Sequence, residues 1–180
     1  MNDKAEKVYA EAFFELCLED GKPEEILGEL SALDGIFREE PDFVKLLGTP
    51  TVPLEEKLGM IKDIIADGVS EYTGNLLCVL TERGRMGCFS GIVKNFRALY
   101  NEHFRIAEIT VTASAPLSES VREKIAAKMS EVTGKTVSIK EKVDPSIIGG
   151  VVIDYGSTRY DGSVRTRLNE LKKELGGVIA

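Results

Sequence analysis

The segment Gly134-Lys135-Thr136 resembles the end of a phosphate-binding P-loop. A complete P-loop also needs a glycine five positions before the last one, and that position is Met129. The motif requires a strand before it and a helix after it, so that amides at the helix N-terminus face the phosphate. Here a helix is predicted before the segment and a strand after it. The sequence therefore predicts that Gly134 ends a helix, with no nucleotide bound there.

A second segment, Gly84-Arg85-Met86-Gly87, has the spacing of the GXXG loop that holds RNA in KH domains. Three further bases lie near it in the sequence: Arg83, Lys94 and Arg97. The surrounding region is acidic and no strand is predicted beside the loop. We therefore interpret it as a turn between two helices and expect no nucleic-acid binding. RNA binding here is the second hypothesis, and nucleotide hydrolysis at residues 134–136 is the third.

The histidine and the carboxylates lack the neighbours that catalysis requires. His103 is the only histidine, and its position is typical of a surface residue at a helix end. The acids that could act in pairs lie in predicted helices and turns: Glu119, Glu123, Asp144, Asp154 and Asp161. No HExxH or GxSxG motif is present. The sequence predicts no catalytic residue, no metal and no cofactor, which favours a binding or scaffolding protein over an enzyme.

The cysteines and the amino terminus indicate the cellular compartment in which the protein works. Cys17, Cys78 and Cys88 are odd in number and form no CxxC pair, so we expect reduced thiols on buried helix faces. No stretch approaches the roughly 18 apolar residues of a membrane span. The first residues show neither a signal peptide nor a transit peptide. We therefore expect a chain that stays in the cytoplasm.

The elements that must position any site fall into two halves. Up to Phe104, apolar residues recur every three or four positions, which predicts six helices joined by short loops. The helices are expected over 4–20 and 23–38, from Pro41 through Leu47, from Pro53 through Ile65, from Ser70 through Leu80, and from Met86 to Phe104.

From Ile106 the period changes to two, which predicts a strand. A helix capped by Ser118 follows, then strands through Val137 and Ile139 and from Ile148 to Ile153, and a last helix opened by Gly162-Ser163. The predicted fold class is α+β with two domains. An N-terminal six-helix bundle spans residues 1–105, and a small C-terminal α/β domain spans residues 106–180.

Charge also divides the chain. Residues 1–105 hold 12 basic and 20 acidic residues, a net charge of −8, whereas residues 106–180 hold 11 and 10, a net of +1. The first 42 residues alone carry −9, from 4 basic and 13 acidic residues. This balance argues against a general polyanion binder, because phosphate binding needs an excess of Lys and Arg.

Residues 137–156 closely resemble the signature of the delta subunit of F-type ATP synthases, called the oligomycin sensitivity-conferring protein in mitochondria. The matching positions are Val143, Asp144, Ile147, Gly149, Gly150, Val151 and Ile153. The segment Asp161-Gly162-Ser163-Val164-Arg165, followed by Arg167 and Leu168, resembles the D-G-S-x-R-x-R-L ending of the family. Weaker matches include Tyr9-Ala10, Asn75-Leu76-Leu77 and Gly84-Arg85, so the resemblance covers nearly the whole chain in order. The missing transit peptide favours a bacterial type of this subunit over an organellar precursor.

The resemblance implies a non-catalytic connector, or stator, that joins the catalytic head of the ATP synthase to its peripheral stalk and resists rotor torque during proton-driven ATP synthesis. The implied partners are the N-terminal segment of an alpha subunit for residues 1–105 and the b subunits for residues 106–180. It implies no small-molecule substrate. The implied location is the cytoplasmic face of the bacterial plasma membrane, with membrane attachment only through the complex.

The alpha segment is implied to dock as an amphipathic helix between the first and fifth helices. We predict the groove at Tyr9, Ala12, Phe13, Leu16, Asn75, Leu76, Val79 and Leu80. Phe14 and Leu18 lie off the main apolar stripe and are expected to supply surplus apolar surface. The alternative is that the groove residues simply fill the core. Acidic residues at the groove rim would steer a basic segment.

Overall fold

The computed structural model describes residues 2–49, 51–66 and 68–178, and the side chains of residues 3–49, 51–63 and 68–173. It divides into two compact units, Met1–Glu102 and His103–Ala180. Eight α-helices and a four-stranded sheet lie in the described part of the chain, which confirms the α+β class. The bundle arrangement of the first six helices stays a prediction.

The helices of the first unit begin close to the positions that the sequence predicts. They are α1 (Asn2–Glu19), α2 (Pro23–Glu39), α3 (Pro41–Gly48), α4 (Leu54–Ala66), α5 (Glu71–Glu82) and α6 (Phe89–His103). Ser70 caps α5 as predicted, because its hydroxyl accepts a hydrogen bond from the Thr73 amide at 3.4 Å. The predicted start of the sixth helix at Met86 is instead a 3-10 turn, Met86–Cys88.

The core of the first unit is built from large apolar side chains. Phe96 is fully buried, and its ring centroid lies 5.7 Å from that of Phe13 and 5.3 Å from that of Phe14. Four apolar residues of α2 that recur every three or four positions are buried: Ile26, Leu30, Leu33 and Phe37. Ile64, Ile65 and Leu175, which the apolar pattern also selects, lie outside the described side chains.

The second unit contains a mixed sheet. Its elements are β1 (Ile106–Ala113), α7 (Glu119–Thr133), β2 (Thr136–Val143), β3 (Val151–Tyr155), β4 (Thr158–Asp161) and α8 (Val164–Val178). The strand order is β2-β1-β3-β4, with β1 parallel to β2 and antiparallel to β3. Gly134 ends α7 with a φ of 65°, so its interpretation as a helix cap is confirmed. Ile109, Val111 and Met129 form the buried centre.

Two strand predictions are wrong. The third strand begins at Val151 rather than Ile148, because Ile148 and Gly150 have φ values of 69° and 76°, which an extended strand does not allow. The sequence pattern also misses strand β4. Its residues are all exposed and carry no alternating apolar pattern, and the turn that starts it depends on the positive φ of Gly156.

None of the helices in the described part of the chain is long and apolar enough to cross a membrane.

Candidate partner-binding groove

An open groove of about 320 Å³ lies between α1 and α5. Seven of the eight predicted residues line it: Tyr9, Ala12, Phe13, Leu16, Asn75, Leu76 and Val79. Within each helix these residues recur at spacings of three and four positions, with one adjacent pair in each, so they form one broad face. The structure therefore has a groove on the two helices and the faces that the sequence predicts, and its role in binding a partner stays a prediction.

The eighth predicted residue is misplaced. Leu80 has no exposed surface and belongs to the core. It follows the buried Leu76 by four positions and so lies on the core side of the stripe, whereas Val79 lies on the exposed side. Tyr72 takes the place of Leu80 in the lining. Sequence reasoning missed it, although it precedes Asn75 by three and Leu76 by four positions and so lies on the same face.

The groove exposes apolar surface that the core does not use. Leu16 is 43% exposed and Val79 is 41% exposed, one on each side of the groove. Phe13 and Leu76 are buried beneath them and belong to the core cluster. An apolar groove between two helices, with a buried floor and exposed walls, suits the apolar face of a third helix.

The surplus apolar surface of α1 lies on a different side from the one expected. Phe14 is buried with its ring edge-on to Phe96, and Leu18 is half-buried against the same core. Both fill the core, so their assignment as spare surface is wrong. The stripe through Ala12 and Leu16 is the exposed one, because α1 is apolar on two adjoining faces and only neighbouring helices decide which is covered.

The two ends of the groove differ in charge. At one end the Arg85 guanidinium lies 5.7 Å from the centroid of the Tyr9 ring, a cation–π distance. At the other end the pKa of Tyr72 is raised above its ordinary value, chiefly by its hydrogen bond to Asp20 and then by the charge of that carboxylate. A bound segment would therefore meet a base at one end and an acid at the other.

A second cavity, of about 370 Å³, lies beside α2, α3 and the start of α6. The polar groups at its rim bond to one another. Arg38 Nη2 lies 2.7 Å from Asp34 Oδ2, and the Ser90 hydroxyl donates to Asp34. Because these groups already satisfy one another, the cavity offers a ligand less than the groove does.

The structure gives little support to RNA binding, which is the second hypothesis from the sequence. Gly84 has a φ of 61° and begins the turn between α5 and the 3-10 turn at Met86–Cys88, as interpreted. Two of the proposed RNA-binding bases have partners within the chain. Arg85 lies over Tyr9, and Arg97 Nη2 donates to Ser31 Oγ at 2.7 Å.

The titratable groups form no reactive cluster in the described residues. These residues contain no group of three or more His, Cys, Asp or Glu that could hold a metal ion. Cys17 and Cys88 are buried as predicted, whereas Cys78 is half-buried. Burial raises the pKa of all three thiols, that of Cys17 to about 11, which keeps them protonated and unreactive at neutral pH.

Seven family-signature residues of the second unit lie where two loops meet: Asp144, Gly149, Gly150, Asp161, Gly162, Ser163 and Arg165. Asp144 Oδ1 accepts a hydrogen bond from the Ser146 amide at 2.9 Å, which starts a short turn after β2. Asp161 Oδ1 accepts from the Ser163 amide at 2.9 Å, and Ser163 Oγ caps α8 by accepting from the Thr166 amide at 3.2 Å. Hydrogen bonds from the Ser146 side chain and then from its amide lower the pKa of Asp144, and the bond from the Ser163 amide is the main cause that lowers the pKa of Asp161.

The glycines bring the two loops into backbone contact, and we call residues 149–151 and 161–164 the glycine junction. The Val164 amide donates to the Gly149 carbonyl at 2.9 Å, and the Gly162 amide donates to the Val151 carbonyl at 3.0 Å. A Cβ on Gly150 would overlap the Gly162 carbonyl oxygen. The absence of a side chain at Gly150 thus lets the backbone of the other loop approach closely. Arg165 Nη1 reaches Ser146 Oγ at 3.5 Å.

An exposed apolar strip starts at this junction and continues along α8. Ile148 is 63% exposed, and its positive φ is unusual for a β-branched residue. The remaining members of the strip follow at helical spacing and are also exposed: Val164, Leu168 and Leu171. Val164 Cγ2 stands close to Gly149, the neighbour of Ile148. The second unit thus carries its own candidate docking surface.

Comparison with known proteins agrees with these features. A family model described as the ATP synthase delta (OSCP) subunit matches residues 5–175. ATP synthase subunit delta of Anaeromyxobacter sp. is 36% identical over 168 residues, which cover 93% of this chain and 94% of that protein. ATP synthase subunit delta of Halalkalibacterium halodurans is 34% identical over 168 residues, covering 93% and 92%.

The fold is also found among solved structures. A chain from the Toxoplasma gondii mitochondrial ATP synthase hexamer superposes with a TM-score of 0.69 and 22% identity. The match covers 94% of this chain and 96% of that chain, so both units take part in it.

Proposed function

This chain belongs to the ATP synthase delta (OSCP) subunit family, and from that premise we propose how its two units divide the work of a connector. The protein is a structural, non-catalytic part of F-type ATP synthase that connects through the peripheral stalk. Residues 1–105, acting as one helical bundle, bind the N-terminal segment of an alpha subunit in the catalytic head. Residues 106–180 bind the b subunits of the stalk. The connection between these partners resists rotor torque. It lies at the cytoplasmic face of the bacterial plasma membrane.

The groove between α1 and α5 is the single observation that carries the proposal. An amphipathic helix placed there would cover Leu16 and Val79, which are otherwise exposed to water. Burying one such side chain contributes about 1.5–3 kcal/mol. Several anchor residues on the bound helix would add similar amounts, which is needed to offset the cost of association and of ordering the segment.

Charge supports the same kind of partner. The first 42 residues carry 13 acidic and 4 basic residues, and α1 lies within them. An acidic surface around an apolar groove attracts a basic amphipathic helix, and the attraction raises the association rate and fixes register more than it raises affinity.

Calorimetry on the full chain tests the groove. The titrant is a synthetic peptide that copies the alpha N-terminal segment, and the variants are Leu16→Asp and Val79→Asp. Each should weaken binding about tenfold or more, because a carboxylate replaces a buried apolar group. Phe13→Asp is less suitable, because Phe13 is buried against Phe96 and its loss would damage the core.

Ile36→Asp is the matched control, since Ile36 is 55% exposed in the same unit but does not line the groove. It should bind the peptide as the parent chain does. If Ile36→Asp weakens binding as strongly as Leu16→Asp, or if neither groove variant has an effect while the helices remain folded, the groove is not the binding site.

The apolar strip supports the second half of the proposal. Among the described side chains of α8, four bases accompany the strip and one acid opposes them: Arg165, Arg167, Lys172 and Lys173, against Glu170. An apolar strip with basic flanks suits an amphipathic helix that carries acidic residues. We propose this strip as the surface for the membrane-distal ends of the b subunits.

A pull-down of the full chain by an immobilised peptide that copies the membrane-distal end of a b chain tests the strip. Leu168→Asp should reduce capture strongly, whereas Val132→Asp, at an exposed site on α7 of the same unit, should not. Equal capture of the parent chain and Leu168→Asp would remove the strip from the interface, and equal loss in both variants would mean that the effect is not local.

A further inference from the structure

The start of α5 is held by a carboxylate that belongs to another helix, Glu29 of α2. The hydroxyls of Ser70 and Thr73 each donate to Glu29 Oε2 at 2.6 Å, and the Ser70 amide donates to Glu29 Oε1 at 3.2 Å. Hydrogen bonds to an ionised carboxylate are stronger than bonds between neutral groups, and negative charge is favourable at a helix N-terminus. We call Glu29, Ser70 and Thr73 the carboxylate latch.

The carboxylate latch is shielded from water. Thr73 has no exposed surface, and Glu29 and Ser70 are half-buried. Loss of the carboxylate would take this acceptor away from a buried hydroxyl, which costs more than the loss of a bond at the surface. The Ser70 hydroxyl also accepts from the Thr73 amide, so Glu29 orients the residue that caps α5. Glu29 thus fixes both the cap and the first turn of α5.

The first two turns of α5 carry one wall of the groove. Tyr72, Asn75 and Leu76 follow Ser70 by two, five and six positions and line the groove, whereas Glu29 does not line it. The opposite helix is tied to the same turn, because Tyr72 is hydrogen-bonded to Asp20 at the end of α1. A shift of this turn would therefore change the width of the groove while α5 stays helical.

We propose that Glu29 is a positioning residue: the carboxylate latch holds the start of α5, and with it one wall of the groove, at the separation from α1 that an occupant requires. Glu29 acts through Ser70 and Thr73 and touches no bound segment. The inference rests on the proposed function for the occupant of the groove, whereas the position of α5 is measured without an occupant.

Cys17 lies beside the latch and reports on it. Its thiol is buried, and its pKa is raised to about 11, first by burial and then by the charges of Asp20 and Glu29, which locates it near both carboxylates. Cys88 is also buried in the core of the first unit, and the charges that act on it are those of Glu6 and Arg85. Movement of the start of α5 should expose Cys17 alone, and unfolding of the unit should expose both.

Alkylation of the full chain by iodoacetamide, followed for each cysteine by mass spectrometry, tests the latch. Glu29→Ala should speed alkylation of Cys17 about tenfold or more and leave that of Cys88 unchanged, because lost bonds to a charged group favour the open state. Glu29→Gln removes the same charge but keeps an acceptor oxygen, so it should speed alkylation of Cys17 several-fold less.

Two further variants sharpen the test. Thr73→Val removes one donor to Glu29 and should speed alkylation of Cys17 less in the Glu29→Ala chain than in the parent chain, because both changes break the same bond. Glu25→Ala is the matched control. Glu25 is an exposed acid one turn earlier on α2, so its loss should not change the rate.

The outcomes separate a local latch from a general contribution to stability. Equal acceleration of Cys17 and Cys88 in Glu29→Ala would mean that Glu29 stabilises the whole unit, and it would overturn the proposal. An unchanged rate at Cys17 would overturn it as well. Equal acceleration by Glu29→Ala and Glu29→Gln would assign the effect to charge rather than to the hydrogen bonds, with the same consequence.

A peptide that copies the alpha N-terminal segment links the latch to binding. At saturation it should slow alkylation of Cys17 in Glu29→Ala toward the parent rate, because an occupant that needs the wall in place favours that state. Binding without slowing would overturn the positioning role. A peptide that does not bind the parent chain would remove the proposed function, and the alkylation rates without peptide would still decide whether Glu29 holds α5.

Discussion

Among the side chains that the structure describes, nineteen buried ones form one cluster in the helical unit, whereas the buried cluster of the second unit consists of Ile109, Val111 and Met129. The second unit relies more on backbone geometry. Its loops are fixed by hydrogen bonds to Asp144, Asp161 and Ser163 and by the glycine junction. The two units therefore respond to substitution in different ways. Substitutions destabilise the helical unit mainly by removing core packing, and they destabilise the second unit mainly by disturbing the backbone contacts between its loops.

The difference also bears on docking. The helical unit has enough core to leave Leu16 and Val79 exposed in a groove of fixed shape. The second unit offers a strip on a single helix, beside a loop that the glycine junction fixes. Each unit therefore exposes apolar surface beside the part that holds its shape, which is the core in the helical unit and the glycine junction in the second unit.

The largest expected effect is in the core of the helical unit. Phe96→Ala should lower the free energy of unfolding by about 3–5 kcal/mol, because it removes a fully buried ring that contacts Phe13 and Phe14. Thermal and urea unfolding of the full chain measure it. Tyr160→Ala, at an exposed aromatic residue of the second unit, should cost less than about 1 kcal/mol. Equal costs would show that burial does not distinguish the two units.

The next effect is in the glycine junction. Gly150→Ala should lower the free energy of unfolding by about 2–5 kcal/mol, since it adds a positive-φ penalty and an overlap with the Gly162 carbonyl. Gly156→Ala is the matched control, because Gly156 also has a positive φ but has no atom within 4 Å of an added Cβ. Its cost should be about 1–2 kcal/mol. Equal costs at both glycines would remove the close backbone approach as a source of stability.

The smallest effect is the response to acid. Hydrogen bonds lower the pKa of Glu141, Asp144 and Asp161 in the second unit, whereas Asp42 is the residue so affected among the described carboxylates of the first. A lowered folded-state pKa gives stability that is present above the ordinary values of 4.5 for Glu and 3.8 for Asp. It is lost as the pH falls through the lower folded-state values.

Hydrogen exchange between pH 6 and pH 3 should therefore show the second unit losing more protection than the first. Asp161→Asn should reduce that pH dependence, because the amide cannot be protonated in this range. If Asp161→Asn leaves the acid response of the second unit unchanged, the turn before α8 does not contribute to it.

The sequence predicts most of the fold because local signals and the tertiary structure agree. Pro23 and Pro41 start helices, Ser70 caps α5, and Gly134 ends α7. The strand β4 escapes prediction because its residues are all exposed, so no burial imposes a period on it.

The candidate groove is predicted to within one residue of its lining. Leu80 lies in the core although it is predicted to line the groove, and Tyr72 lines the groove although it is not predicted to. Phe14 fills the core instead of exposing surface. A helical period tells which residues share a face. It does not tell which of two apolar faces the neighbouring helices cover, and that depends on contacts such as the one between Phe14 and Phe96.

One measurement tests the division of labour most directly. Hydrogen exchange of the full chain is followed with the alpha N-terminal peptide and, separately, with the peptide that copies the membrane-distal end of a b chain. The alpha peptide should slow exchange in α1 and α5 and leave α8 unchanged, and the b peptide should do the reverse. Protection of α8 by the alpha peptide, or of α1 and α5 by the b peptide, would contradict the assignment of one partner to each unit.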